Sequence, residues 1–266
     1  MNYLNEESAP EPHGFINTGV ICYWNSLMQC LLSCTSINDI LKSEQYIKLQ
    51  TSQDSHSFLQ YVIQQLRAKN INYTFGNSQE SASEALVLLT EVLPIDYLLH
   101  HRYRRYVECG NCGKLSDIKK EHTLHFEMFG AVAEAISNTT EFIQFLKRRQ
   151  THITDYICDH CDMTSAKSTR YEILEMLPEI IILVYNKYFN KSNSFFIPTE
   201  FAVGHLKYIQ VGQIRHSGSL YGGHYWAIIR RNNKIYMAND LTIMQMPAEM
   251  ETSPQIYMVF YHIIIA

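Results

Sequence analysis

Two short cysteine pairs, Cys109-Gly-Asn-Cys112 and Cys158-Asp-His-Cys161, constrain this 266-residue chain more than any other feature. Each is a C-x-x-C knuckle, and together they offer four thiolates, the ligand set of a tetrahedral structural zinc site. About 45 residues separate the pairs, too many for a compact finger, so the surrounding fold has to bring them together. Glycines at 110 and 113 permit the first tight turn. His160, inside the second knuckle, is an alternative ligand, although four thiolates suffice. Seven cysteines is an odd number, which suits metal ligation and free thiols in a reducing compartment better than a disulfide framework.

On either side of the knuckles the hydrophobic period differs. In the first hundred residues it is helical. Trp24, Leu27, Met28 and Leu31 share one helical face behind Cys22, and Phe58, Val62 and Leu66 mark a second helix over 57–69. Ser81-Ala-Ser-Glu84 has the form of a capping box, followed by Leu86, Leu89 and Leu93 and closed by Pro94. A strand-like segment to about residue 129 and a helix over 140–149 lie between the knuckles. From Ile173 onward the pattern is β, with strands expected over 180–184, 208–214, 225–229, 234–238 and 256–262. The run at 180–184 is continuously apolar, as in a strand covered on both faces. Helices first and strands last, around a zinc-bearing insert, make an α+β fold.

Composition excludes some classes. A chain that is 46% hydrophobic and 18% charged is globular, and a net charge of −4 argues against a general polyanion binder. The run His100-His-Arg-Tyr-Arg-Arg105 leaves a zinc-ribbon nucleic-acid protein as a minor alternative, because aromatics among basic residues can stack on bases. The acidic, proline-bearing start has no secretory signature, and the apolar end at 256–266 is too short for a membrane span. The sequence therefore predicts a soluble intracellular monomer, cytoplasmic or nuclear, with no membrane or nucleic-acid partner.

Chemistry concentrates in two places. Cys22 stands at a helix start, where the macrodipole and unpaired N–H groups favour a thiolate, with Asn17 in the loop just before it. Far downstream, Gly222-Gly223-His224 opens a strand and Asn239-Asp240 follows the next one. A hairpin between them returns both ends to one sheet edge, where Asn239 can hold the His224 ring for a Cys-His-Asn arrangement.

These residues resemble the ubiquitin-specific proteases, papain-like deubiquitinating cysteine proteases. Residues 14–31, GFINTGVICYWNSLMQCL, are similar to that family's cysteine box. HSG at 216–218 with GGHYWAIIRRNNKIYMAND is similar to its histidine box. QESASEALVLL from Gln79 and LPEIIILVYNKY from Leu177 are similar to two further motifs, with Lys187-Tyr188 in the second. The resemblance implies a thumb–fingers–palm architecture. Residues 1–13 read as a flexible leader, and the resemblance implies one catalytic domain over 14–266, with a helical thumb at 14–100, zinc-bearing fingers at 101–172 and an antiparallel β palm at 173–266. It makes Cys22 the nucleophile, His224 the general base and Asn239 its orienter. Asp240 supports the site, and Asn17 is an oxyanion donor, a role whose loss typically costs about 10²–10³ in turnover. Glu84, His216, Gly222, Gly223 and Tyr225 become contacts of the substrate tail. Cys109, Cys112, Cys158 and Cys161 hold one structural zinc, and no catalytic cofactor is required. The implied partner is ubiquitin or a ubiquitin-like modifier and its conjugates.

The departures concern substrate. Ser81 and Ser83 stand where the family usually has Asp and Gln, in a region that helps bind the basic ubiquitin tail, and Ala85 replaces an aromatic. A ubiquitin-like modifier is therefore the alternative substrate, and a catalytically weak ubiquitin-binding module the alternative function.

Overall fold

The structure, a computed structural model, describes residues 11–41, 43–71, 80–129, 133–186, 196–219, 222–247, 250 and 253–264. Residues 1–10 of the expected leader, Gln79, Lys187, Tyr188 and Tyr221 lie outside the described residues. Of the leader, residues 11–13 are tied down. Glu11 pairs with Lys234 at 3.2 Å, and the His13 ring meets the Ser52 carbonyl at 2.8 Å.

The helical part opens with α1 (Cys22–Leu31), whose ten residues are all buried. One buried stripe was expected. The helix instead runs through the middle of the molecule, packed against later helices on one side and strands on the other. Four further helices follow: α2 (Thr35–Ile40), α3 (Glu44–Thr51), α4 (Ser55–Ala68) and α5 (Ala82–Val92). Their starts are capped as the side chains dictate. Ser43, Asp54 and Ser81 each accept a backbone N–H from the first turn that follows. The short α2 and α3 occupy a stretch that reads as a polar connection. They bury only Ile37, Tyr46 and Leu49, too few for a visible period. A last short helix, α6 (Asp96–Leu99), leads into the strands.

Two sheets follow. The smaller has four antiparallel strands, β1 (His101–Glu108), β2 (Leu115–Thr123), β4 (Arg148–Ile153) and β7 (Ser168–Met176), in the order β2-β1-β7-β4. The basic run forms β1, and its charges are laddered across the sheet. Arg102 reaches Glu175 at 3.0 Å, Arg104 reaches Asp117 at 3.0 Å and Arg105 reaches Glu172 at 2.7 Å. Between β2 and β4 lies α7 (Thr139–Lys147). It stops two residues before the sequence pattern does, because Arg148 and Arg149 pair with Ile173 and Glu172 of β7. A two-residue ribbon, β5 (Tyr156–Ile157) and β6 (Thr164–Ser165), flanks the second knuckle.

The larger sheet contains β3 (Phe126–Phe129), β8 (Ile180–Asn186), β9 (Glu200–Val203), β10 (Leu206–Ser219), β11 (Gly222–Arg231), β12 (Lys234–Asn239), β13 (Thr242–Met246) and β14 (Ile256–Ile264). Its order is β13-β12-β11-β10-β14-β8-β3, with β9 alongside β10. Every pair within residues 173–266 is antiparallel, as expected for the palm, and β3 joins the edge of the sheet parallel to β8. Both faces are covered. Ile180, Ile182 and Val184 point into the core shared with α1, α4 and α5, while Ile181 and Leu183 join Phe142, Phe145 and Tyr261 on the α7 side. That alternation accounts for the unbroken apolar run. Among the described residues no helix is long and apolar enough to cross a membrane.

Candidate active site

Cys22 is the first residue of α1 and is 4% exposed. The N-cap residue Ile21 makes no side-chain cap, and the positive end of the helix dipole lies at Cys22. The preceding loop is held by Asn17. Its Oδ1 accepts from the backbone N–H of Gly19 at 3.0 Å and of Ile21 at 3.3 Å. Its Nδ2 donates to Asp240 Oδ2 at 3.0 Å, and the Phe15 N–H donates to the Asp240 carbonyl at 2.8 Å. The loop before Cys22 and the turn after β12 are therefore one unit.

β11 lies against α1 and carries His224. Asn232 and Asn233, both at positive φ (50° and 59°), turn β11 into β12, as a two-residue hairpin requires. The hairpin returns Asn239 to His224, and Asn239 Oδ1 sits 2.6 Å from His224 Nε2. A carboxamide oxygen only accepts, so Nε2 carries the proton and Nδ1 is left as the basic atom. Asp240 follows at φ 48° and turns the chain into β13. Its second oxygen, Oδ1, accepts from Asn25 Nδ2 at 2.8 Å. Sequence reading passed over Asn25, whose burial follows from α1 being covered on every side, which one apolar stripe does not reveal.

The residues read as tail contacts divide into two groups. Glu84 is exposed on the first turn of α5. His216 and Tyr225 are only 2% and 4% exposed, with their rings 4.3 Å apart. They support the surface from beneath. Gly222 and Gly223 open β11, and Gly223 pairs with Gly218 of β10. A Cβ on Gly223 would overlap the Ser217 carbonyl oxygen and the His216 ring. This glycine is demanded by the protein's own packing, where the sequence suggested close approach of a substrate. Beside Glu84, the hydroxyls of Ser81, Ser83 and Tyr257 close a triangle at 2.7–2.8 Å.

The four knuckle cysteines meet at the far end of the small sheet, their sulfurs all within 4.8 Å of one another. Cys109 and Cys161 are 3.9 Å apart and Cys112 and Cys158 are 3.7 Å apart. Four ligands at a zinc–sulfur distance of about 2.3 Å stand about 3.8 Å from each other, so the cluster has the size of a metal tetrahedron. The two knuckles are built alike. Asn111 N–H points at Cys109 Sγ and His160 N–H at Cys158 Sγ, each at 3.4 Å. Gly113 and Asp162 take the same left-handed position in the two turns, at φ 70° and 51°. Backbone donors, that of Cys112 first, draw the Cys109 thiol down to about 7. Although the Met163 N–H lowers it, burial and the neighbouring sulfurs push Cys161 up to about 12. Four thiols this close cannot all ionise unaided, and a bound cation removes that conflict. His160 is exposed and outside the cluster.

The profile of the family described as ubiquitin carboxyl-terminal hydrolase matches residues 40–261. The match begins after α1, so Asn17 and Cys22 lie outside it. No curated protein sequence matches. Among solved structures, the chain resembles one from the SAGA DUB module Ubp8/Sgf11/Sus1/Sgf73 bound to monoubiquitin, in which Ubp8 carries a cysteine-to-alanine substitution. That likeness has 16% identity and a TM-score of 0.72, over 100% of this chain and 72% of the other. The chain also resembles one from the SAGA Ubp8/Sgf11/Sus1/Sgf73 DUB module bound to ubiquitin aldehyde, at 16% identity and a TM-score of 0.68, over 98% and 71%. At that identity the likeness establishes the papain-like, thumb–fingers–palm fold. With a family profile covering most of its length, the chain belongs to the ubiquitin carboxyl-terminal hydrolase family, the deubiquitinating cysteine proteases.

Proposed function

We propose that the chain hydrolyses the peptide or isopeptide bond after the C-terminal Gly-Gly of ubiquitin, through a thioester on Cys22. The observation that carries this reading is the 2.6 Å contact between His224 Nε2 and Asn239 Oδ1, which leaves Nδ1 to take the Cys22 proton. The thiolate attacks the glycine carbonyl, and the oxyanion receives the Cys22 backbone N–H and the second hydrogen of Asn17 Nδ2. Protonated His224 then gives its proton to the departing amine. Water, deprotonated by the same ring, releases the acyl group. Asp240 keeps Asn17 in place. The ubiquitin tail reaches Cys22 past Gly222, Gly223 and Glu84, over a floor made by His216 and Tyr225. A hollow of about 1200 Å³ lined by Val87, Arg105, Phe145, Arg149 and Arg170 can receive a surface projection of the modifier's body.

The helical thumb, the fingers and the palm divide the chain at about residues 100 and 172, and one structural zinc on Cys109, Cys112, Cys158 and Cys161 closes the finger tip. The hydroxyl triangle of Ser81, Ser83 and Tyr257 favours a second reading of the substrate. It offers neutral donors and acceptors where a carboxylate would select a basic tail, so a ubiquitin-like modifier with a less basic tail fits as well.

Ubiquitin bearing a C-terminal alkyne warhead tests the reading. Wild type is expected to form a covalent adduct and Cys22→Ser none. If wild type captures neither ubiquitin nor any ubiquitin-like modifier, the assignment of Cys22 is wrong.

A further inference from the structure

We infer that Asn25 and Ser55, neither of which touches the reacting atoms, are the positioning residues that set the oxyanion donor Asn17. The inference rests on the catalytic reading of Cys22 and Asn17 given above. Three hydrogen bonds in series carry it. Ser55 Oγ donates to Asn25 Oδ1, Asn25 Nδ2 donates to Asp240 Oδ1 at 2.8 Å, and Asp240 Oδ2 accepts from Asn17 Nδ2 at 3.0 Å.

Each link has a single polarity. The carboxylate only accepts, so both carboxamides must present their nitrogens to it. Asn17 Oδ1 is meanwhile committed to the N–H groups of Gly19 and Ile21, and Asn25 Oδ1 to the Ser55 hydroxyl. Neither amide can flip without breaking bonds at both ends. One hydrogen of Asn17 Nδ2 is thereby fixed on Asp240, which aims the other.

The anchor end is the more rigid. Asn25 is 2% exposed on α1 and Ser55 is fully buried at the start of α4, where the Ser55 carbonyl takes the indole N–H of Trp24 at 3.1 Å. The Asn17 end belongs to a loop joined to α1 at Ile21. The arrangement thus references a loop donor to the same helix that carries Cys22. Nucleophile and donor keep their spacing because one element holds both. Misplacing a catalytic group by an ångström costs on the order of 10² in rate.

The test separates oxyanion chemistry from folding. Attack on an alkyne warhead builds no negative charge on oxygen, so it needs the Cys22 thiolate and the tail channel only. Hydrolysis of a ubiquitin C-terminal amide needs the donor as well. For Asn25→Ala the expected result is a kcat about 10–100-fold lower with KM unchanged, while the alkyne labelling rate stays within about 3-fold of wild type. Ser55→Ala, which removes only the outer hydrogen bond, is expected to lose about 3–10-fold in kcat with the same unchanged labelling. It keeps the proposal testable if Asn25→Ala does not fold. Labelling that falls in step with hydrolysis in both variants would make the two residues merely structural and overturn the proposal. So would hydrolysis at wild-type rates. A wild type that neither labels nor hydrolyses overturns the catalytic reading and this proposal with it.

Discussion

At the scale of single residues, the site is governed by what each polar atom is able to accept or donate. Asn239 presents its oxygen to His224 Nε2, and that decides which ring nitrogen is basic. Asp240 can offer only oxygens, and that decides how Asn17 and Asn25 are turned. Gly223 is decided by volume. Its neighbours Ser217 and His216 occupy the space a methyl group needs, so Gly223→Ala has to move a buried ring or a strand backbone. The expected outcome is a loss of about 1–3 kcal/mol in urea unfolding together with a fall in kcat/KM, because the same strand carries His224. Unchanged stability would show that the His216 ring has room to retreat. From sequence, Cys22, His224 and Asn239 were legible as chemistry-bearing types in a suggestive order. Asn25 and Ser55 were not, because a hydrogen bond between residues thirty positions apart leaves no local pattern.

Among the elements, α5 shows how one side chain serves both a helix cap and a contact with a distant strand. Ser81 caps the helix through the N–H groups of Ser83 and Glu84, and its hydroxyl also meets Tyr257 of β14. Ser81→Ala is expected to cost about 1 kcal/mol by loss of the cap. Ser81→Asp keeps a capping oxygen and adds a charge, so it should retain stability in thermal melting. The same change should lower KM for a substrate with a basic tail. An unchanged KM would separate this position from the tail channel. The capping signal here was readable in advance because it is local. The C-terminal end of α7 and the existence of α2, α3 and β13 were not. Arg148 and Arg149 continue a helical pattern but are claimed by β7, and α2 and α3 each bury too little to show a period.

For the whole molecule, the two knuckles are the clearest case of distant segments brought together. β1 runs into Cys109 and the β5–β6 ribbon brackets Cys158 and Cys161, so a metal there ties the β1–β2 turn to the β4–β7 connection at one end of the small sheet. Denatured protein is expected to release one zinc per chain, and the double variant Cys109→Ser/Cys158→Ser none, as read by a colorimetric chelator. Retention of metal in that variant would rule out the four-thiolate site. Stripping the metal should expose 101–176 to proteolysis first, because ligation contributes directly to folding there, while the larger sheet keeps its own two-sided core.

The sequence alone determined the change from helical to β periodicity, the two cysteine pairs and the chemistry-bearing types at Cys22, His224 and Asn239. All of these are written in local spacing or in residue chemistry. Tertiary structure decided what depends on separation in space. It buried α1 on every side, tucked His216 under Gly223 and linked Ser55, Asn25, Asp240 and Asn17 in one series. The physical reason is the same in each case. Periodicity records which face of an element is apolar, whereas packing and hydrogen bonding between distant segments depend on how the faces are assembled.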